Sequence, residues 1–414
     1  MRRTLLLSLA VGLLAGCSPQ AAPGVGVNLR GRLEVHDGLR VLRTWGTPAE
    51  RGYAHGSLLG AEIAAAMRTE LVARFGRQPA LLERWRQAIG VAVGFPDDMR
   101  AELEALHAGL VDSGADLRLV EFQRDIDRND LLVVNALDVF SLMGCSGFTA
   151  HGEQVDGGGV LTARNFDWPL TGAHLADATI LLVQHGPDGR AVASVTWPGF
   201  VGVVTGINRA GMSAYLHVGS AAPGGQPRAG SWPTAAAARA ILETGGPGVD
   251  NFAAAERLLG RTSPGAGFLT RIALGTVAAD DPPFALFETD VHKVVRGRDA
   301  TCAVVTNHFV SRDDGREPSR DSLSRTQTLT AGLAERARDG DRRLSPAEAW
   351  ELLVAVQRDA GSPTVHALVF RHEPWCFELR VAQVVGGKVV AAPASARRHT
   401  LTRNQVFAID RRGR

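Results

Sequence analysis

The chain reads as an α+β protein: a helix-rich leader followed by a layered β domain with helical insertions. Three observations predict this. Apolar residues recur at three- and four-residue spacing near 48–74, 80–92, 97–112 and 118–142, but from Cys145 onward they fall in strand-length runs. Hydrophobic residues make up 45% of 414 positions and charged residues 21%, enough apolar chain for a full core and too much for wholesale disorder. Helices come first and strands follow, interrupted by two helix pairs, an order that favours segregated layers over regular βαβ alternation.

The N-terminus comes before either regime. Residues 1–16 carry Arg2 and Arg3, an apolar run and small residues, the form of a secretory signal and too short for a transmembrane helix. They end in Leu14-Ala15-Gly16-Cys17, which resembles the bacterial lipobox, so Cys17 is the expected lipidation site and the membrane an expected partner. Ser18 after that cysteine favours the outer membrane in Gram-negative lipoproteins. Residues 17–30 then read as a flexible Pro/Gly-rich tether, 31–144 as a mainly helical leader and 145–414 as the β-rich domain. Residues 32–45 alternate like a short strand pair ahead of the helices. Expected strands include 159–166, 179–186, 200–207, 212–218, 284–291, 302–309, 366–372, 376–384 and 388–392. The helix pairs are 232–243 with 248–260 and 322–339 with 345–359.

Forty-five basic residues against 43 acidic ones leave no electrostatic footprint for nucleic acid. The 12 histidines are scattered, with neither HExxH nor a tight Cys/His cluster, so no metal and no cofactor is expected. Four cysteines cannot form a disulfide scaffold. Cys302 and Cys376 read as buried free thiols, with a disulfide permitted by export.

Cys145 lies at the boundary between the two regimes, in Gly144-Cys145-Ser146-Gly147-Phe148. The glycine-rich stretch 151–158 reads as a hairpin connection, and the returning strand ends in Arg164-Asn165-Phe166-Asp167-Trp168. Centring the hairpin on 151–158 sets Cys145 opposite Arg164, with Asp167 just beyond the strand end. A guanidinium beside a thiol is expected to lower its pKa.

GCSGF followed by ARNFDWP resembles the peptidase C45 type of autoproteolytic N-terminal nucleophile hydrolases, which includes the acyl-coenzyme A:6-aminopenicillanic acid acyltransferases. It is more distantly similar to the penicillin V acylase, bile-salt hydrolase and acid ceramidase group. Supporting pieces recur in order at 46–63, 206–216, 304–309 and 321–329, so the likeness spans about residues 46–385. The resemblance implies a four-layer αββα sandwich with antiparallel sheets behind an α-helical leader. It also implies self-cleavage at Gly144–Cys145, with leader and catalytic chains staying associated. The freed α-amine of Cys145, with a reference pKa of about 7.7–8.0, would serve as base for its own thiol. Asp167 would orient the ammonium group, Arg164 would hold the thiolate and Asp167, Asn307 would stabilise the oxyanion and Arg325 would support Asn307 and Cys145. Where many relatives place an asparagine this chain has His217, so the second oxyanion donor falls to His217 or a backbone N–H near Val218. Trp168 and Tyr215 are candidates for an acyl pocket.

The implied activity is hydrolysis or acyl transfer on a linear amide of a small N-acyl substrate, through a Cys145 thioester. N-acyl amino acids, acylated β-lactams, N-acyl homoserine lactones and lipid amides are all candidates. Two alternatives stand beside it: a Cys145–His308 hydrolase without self-cleavage, and a non-catalytic surface lipoprotein that keeps the fold.

Overall fold

The computed structural model describes residues 29–89, 91–136, 144–169, 171–219, 228–263, 267–275, 282–299, 303–336, 343–359 and 361–409. The signal sequence, Cys17, Cys302 and the residues just before Gly144 lie outside the described residues.

The leader opens with the expected strand pair, β1 (Gly31–His36) and β2 (Leu39–Trp45). Thr47 then starts α1 (Pro48–Leu58) with a capping box to Glu50 and a proline in the first turn. Four more helices follow: α2 (Gly60–Phe75), α3 (Pro79–Ala88), α4 (Asp97–Asp112) and α5 (Arg128–Asn135). Helices α1 and α4 cross so closely that a Cβ on Gly56 would lie 2.1 Å from the Leu106 carbonyl oxygen, a contact only glycine permits. The helix expected over 118–142 is shorter than its pattern. Residues 118–125 form a small hairpin, β3 (Arg118–Leu119) with β4 (Arg124–Asp125), because Asp127 stops it and caps α5 with its side chain.

The second part begins with β5 (Gly144–His151) and β6 (Val160–Asp167), followed by α6 (Gly172–Ala178). Strands β7 (Ile180–His185), β8 (Ala191–Thr196), β9 (Thr205–Asn208) and β10 (Ser213–Val218) come next. Helices α7 (Thr234–Thr244) and α8 (Asn251–Leu259) precede β11 (Phe268–Ala273), β12 (Phe284–Thr289), β13 (Val294–Gly297) and β14 (Val304–Val305). The chain continues with α9 (Arg320–Arg336), α10 (Pro346–Ala355), β15 (Thr364–Arg371) and β16 (Cys376–Val381). It closes with a small β17–β18 hairpin (Gln383–Val385, Lys388–Ala391), β19 (Arg398–Leu401) and α11 (Arg403–Val406).

Two sheets face each other. One runs β1-β2-β7-β8-β9-β10-β11-β12-β13, the other β14-β5-β6-β15-β16-β19. Val183, Ile207 and Tyr215 of the first pack on Leu368, Phe370 and Phe377 of the second. The outer face of the first sheet carries α7 and α8, through Ala238, Ile241 and Ala255. The outer face of the second carries α9 and α10, through Leu329, Trp350 and Leu353. The result is the four-layer αββα sandwich. One correction applies to its sheets: β2 of the leader joins β7 in parallel, with Val41 beside Leu181, while the other named strand pairs are antiparallel. Leader helices α2 and α4 extend the outer layer over this edge, packing Ile63, Met67 and Leu103 on Leu42, Ile180 and Leu182.

The strand expected over 200–207 is only partly formed. The Val201 N–H donates to the Asn135 side chain and the Val203 N–H to the Ala235 carbonyl, so neither donor serves a sheet ladder.

Candidate active site

The β5–β6 hairpin carries the candidate nucleophile, and its register differs from the expected one by two residues. Cys145 opposes Phe166, and Arg164 opposes Gly147. The cause is Gly159, whose φ of +79° places it in the connection rather than the strand, so the loop is 152–159. A two-residue shift preserves side-chain parity, so Cys145, Arg164 and Phe166 still share the face that looks into the space between the sheets. Gly144 and Asp167 pair on the opposite face, toward Arg325 of α9, so Arg164 does not hold Asp167 as expected: no described hydrogen bond joins them.

Side chains from separate elements converge on each polar atom of Cys145. Its Sγ receives a hydrogen bond from Arg164 Nη2 at 3.2 Å and donates to the Leu216 carbonyl at 3.3 Å. Its backbone N–H donates to Asn307 Oδ1 at 3.0 Å. Its carbonyl oxygen accepts from Arg325 Nη1 at 2.6 Å. Arg325 also donates to Asn307 Oδ1 at 2.8 Å and to Asp321 at 2.7 Å, an i,i−4 partner on α9. The Asn307 Nδ2 donates to the Val218 carbonyl at 2.8 Å, and its backbone N–H to Ser322 Oγ at 2.9 Å.

Asp167 closes the far side. Thr364 donates to its Oδ1 at 2.6 Å, and Arg325 Nη1 lies 3.8 Å from Oδ2, which has no hydrogen-bond partner among the described residues. A Cβ on Gly144 would fall 3.0 Å from Asp167 Oδ2, so this position favours glycine. Burial raises the Asp167 carboxyl to about 6, against the Thr364 hydrogen bond and the Arg325 charge.

The thiol departs from expectation. Cys145 is fully buried, and burial pushes it up to about 11 although Arg164, Arg325 and the Val218 N–H all favour the thiolate. The guanidinium is where the hairpin puts it, but in the uncut chain desolvation is the larger effect.

The remaining candidates sit around this centre. His217 lies between the sheets, and neither ring nitrogen has a hydrogen-bond partner among the described residues; burial beside Arg164 and Arg271 drives its pKa well down. The Tyr215 hydroxyl is shared with Thr162 at 2.7 Å, and its ring lies 4.9 Å from the Arg271 guanidinium carbon and 6.0 Å from that of Arg164. The Trp168 indole donates to Thr171 Oγ1 at 2.9 Å, beneath the Arg74 guanidinium of α2. His308 is hydrogen-bonded to Ser322 Oγ at 2.8 Å and to Thr306, and no described hydrogen bond joins it to Cys145. Cys376 is a free thiol at the start of β16, half-buried and not fully buried as expected. Among the described residues no Cys/His/Asp/Glu group could hold a metal, and no helix is long and apolar enough to cross a membrane.

Sequence reasoning missed Thr364 and Asp321. Thr364 lies 197 residues from Asp167 and carries no local signal. Asp321 was legible, because it stands four residues before Arg325 on one helix face.

No family model matches the chain. A stretch of 238 residues is 28% identical to an uncharacterized protein of Archaeoglobus fulgidus, covering 50% of this chain and 37% of that protein's length. Among solved structures, the N-acylethanolamine-hydrolyzing acid amidase ortholog of Caenorhabditis elegans matches at 17% identity and a TM-score of 0.41, over 55% of this chain and 93% of that one. A variant of the conjugated bile acid hydrolase of Clostridium perfringens matches at 10% and 0.40, over 64% and 99%. The penicillin V acylase of Agrobacterium tumefaciens matches at 18% and 0.33, over 57% and 83%.

Proposed function

We propose that the protein is a self-processing cysteine amidohydrolase or acyltransferase that cleaves a linear amide of a small N-acyl substrate. The observation that carries this reading is the geometry at Cys145. Its sulfur, amide nitrogen and carbonyl oxygen are each hydrogen-bonded by a different side chain, and no histidine bonds to the thiol among the described residues. A nucleophile in these surroundings needs a base of its own, and its α-amine is one.

In the self-cleavage step the thiol sulfur attacks the Gly144 carbonyl carbon and the Gly144–Cys145 C–N bond breaks. The sulfur's proton ends on the departing amine, leaving a thioester. Water then hydrolyses that thioester, giving a Gly144 carboxylate and a free Cys145 thiol. The new amine retains Asn307 Oδ1 as an acceptor. In turnover it takes the thiol proton, the sulfur attacks the substrate carbonyl, and the amine returns the proton to the leaving nitrogen. The Val218 N–H and the Asn307 amide are the oxyanion donors. Water or a second amine then takes the acyl group. The protein is exported and anchored through Cys17, and the leader remains bound to the catalytic chain.

The test is a denaturing gel with N-terminal sequencing of an active preparation. Chains beginning at Cys145 support the reading, and a fully active intact chain overturns it. The complete burial of the Cys145 thiol favours a second reading in which the intact chain is a non-catalytic lipoprotein. An uncut protein whose thiol resists alkylation until it is unfolded would select that one.

A further inference from the structure

We propose that Arg271 is a positioning residue for Cys145: it reaches over from the opposite sheet, fixes Arg164 against the sulfur and supplies a second positive charge behind the thiolate. The proposal deepens the reading of Cys145 as the nucleophile and rests on it.

Arg271 stands on β11 beside Tyr215 of β10 and is fully buried. Its Nη2 crosses the space between the sheets and donates to the Ala163 carbonyl of β6 at 2.8 Å. It arrives where Gly147 faces Arg164 on the hairpin. A Cβ on Gly147 would fall 2.9 Å from Arg271 Nη2 and 3.2 Å from the Arg164 Cα, so the approach needs glycine there. Ala163 directly precedes Arg164, and the contact therefore pins the backbone from which Arg164 Nη2 reaches Sγ at 3.2 Å. The Nε and Nη1 atoms of both arginines have no hydrogen-bond partner among the described residues. A buried cation without a counter-charge is costly, and one bond to a neutral carbonyl does not offset that cost.

The groups around the sulfur leave it as the anion for these cations to hold. Tyr215 shares its hydroxyl with Thr162 and is raised by burial, while burial drives His217 and His366 well down, so all three are uncharged at neutral pH. Arg325 of α9 adds positive charge at the Cys145 carbonyl. Asp167 projects from the opposite face of β6. Once the thiol proton passes to the α-amine, the sulfur is negative while Arg164 and Arg271 are positive. Arg271 and the thiolate each favour the other's charged form.

The experiment titrates Cys145 in the full chain by the ultraviolet absorbance of its thiolate, taken as the difference from the same chain carrying Cys145→Ala. Arg271→Gln keeps a hydrogen-bond donor and removes the charge, and should raise the Cys145 pKa by about one pH unit or more. Arg271→Met, also neutral, reads the same loss should the glutamine variant not fold. Arg271→Lys restores the charge and should titrate closer to the unaltered chain than to the neutral variants. A neutral variant that titrates like the unaltered chain overturns the proposal. A lysine variant that titrates with the neutral ones also overturns it, because a packing role would then suffice. So does the absence of a Cys145 thiolate at every pH at which the chain stays folded. Cleavage before Cys145 is read separately, by gel. An uncut chain whose thiol still follows Arg271 sinks the hydrolysis reading but not the charge assignment, and a cut, active chain whose thiol ignores Arg271 does the reverse.

Discussion

Arg239 and Arg271 are both buried, yet they sit in opposite electrostatic settings. Arg239, on α7, donates to Glu102 of the leader at 2.5 Å and to Glu243 at 3.0 Å. Glu102 also accepts from Arg51 at 3.3 Å and from Gln184. These charges hold the Glu102 carboxyl below its usual range despite full burial, and they raise the Arg239 guanidinium. Arg271 lies between the sheets with Arg164 as its neighbour. It donates to the Ala163 carbonyl at 2.8 Å, and no described carboxylate bonds to either arginine. Burial and the Arg164 charge push Arg271 down to about 9. The leader interface is a closed ion network. The space behind Cys145 holds positive charge in excess, which is useful where an anionic sulfur and an oxyanion form during reaction.

The sharpest way to break this contrast is at the sulfur. Cys145→Ala should abolish both the cut and turnover, read by gel and by amide hydrolysis; residual activity would mean that another group is the nucleophile. Next in size is Glu102→Ala. Stripping one partner from a buried ion pair costs about 3–5 kcal/mol, so the urea midpoint should fall sharply and the processed leader should dissociate more readily. Asn307→Ala should lose about 2.7–4 kcal/mol of transition-state stabilisation, roughly 10²–10³ in kcat, with substrate KM little changed.

A smaller effect should come from acid. His55 is held near 4, and His185 and His372 near 3, by burial, so the unfolded chain binds more protons than the folded one below about pH 6.5. Stability should therefore fall as pH drops from about 6.5 toward 4. Asp167, raised to about 6, works the other way: it favours the folded state at low pH, and this contribution is lost as pH rises through 6. Asp167→Asn should steepen the acid loss, measured as urea midpoints across that range. The smallest change is expected for Arg271→Met. It forfeits one hydrogen bond worth about 1 kcal/mol but removes an uncompensated cation. A loss as large as that of Glu102→Ala would show that the inter-sheet arginines are balanced after all.

Much of this was legible in the primary structure because the signals are local. The switch of period at Cys145 and the glycine-rich turn after His151 both report within a few residues. The two-residue register shift arises at Gly159, whose positive φ makes it the last loop residue and not the first of the strand. The side chain could not reveal this, since glycine serves both roles. Contacts set by tertiary folding left no trace: Thr364 on Asp167 and the parallel register of β2 on β7. The raised thiol has the same tertiary origin. Proximity to Arg164 follows from the hairpin, whereas the depth of burial follows from β10 lying across it.

The leader's place in the sheet has a consequence for how such a molecule can be made. Because β1 and β2 form one edge of the nine-stranded sheet, they are built while the polypeptide is still continuous. If the Gly144–Cys145 bond is then cut, the finished protein is a two-chain object assembled under one-chain conditions. Its first folding is unimolecular, but any later refolding must bring two strangers together at their own dilution. Such a protein is released once in its working form, and a denatured sample should recover in proportion to concentration, whereas the uncut Cys145→Ala chain recovers at any dilution.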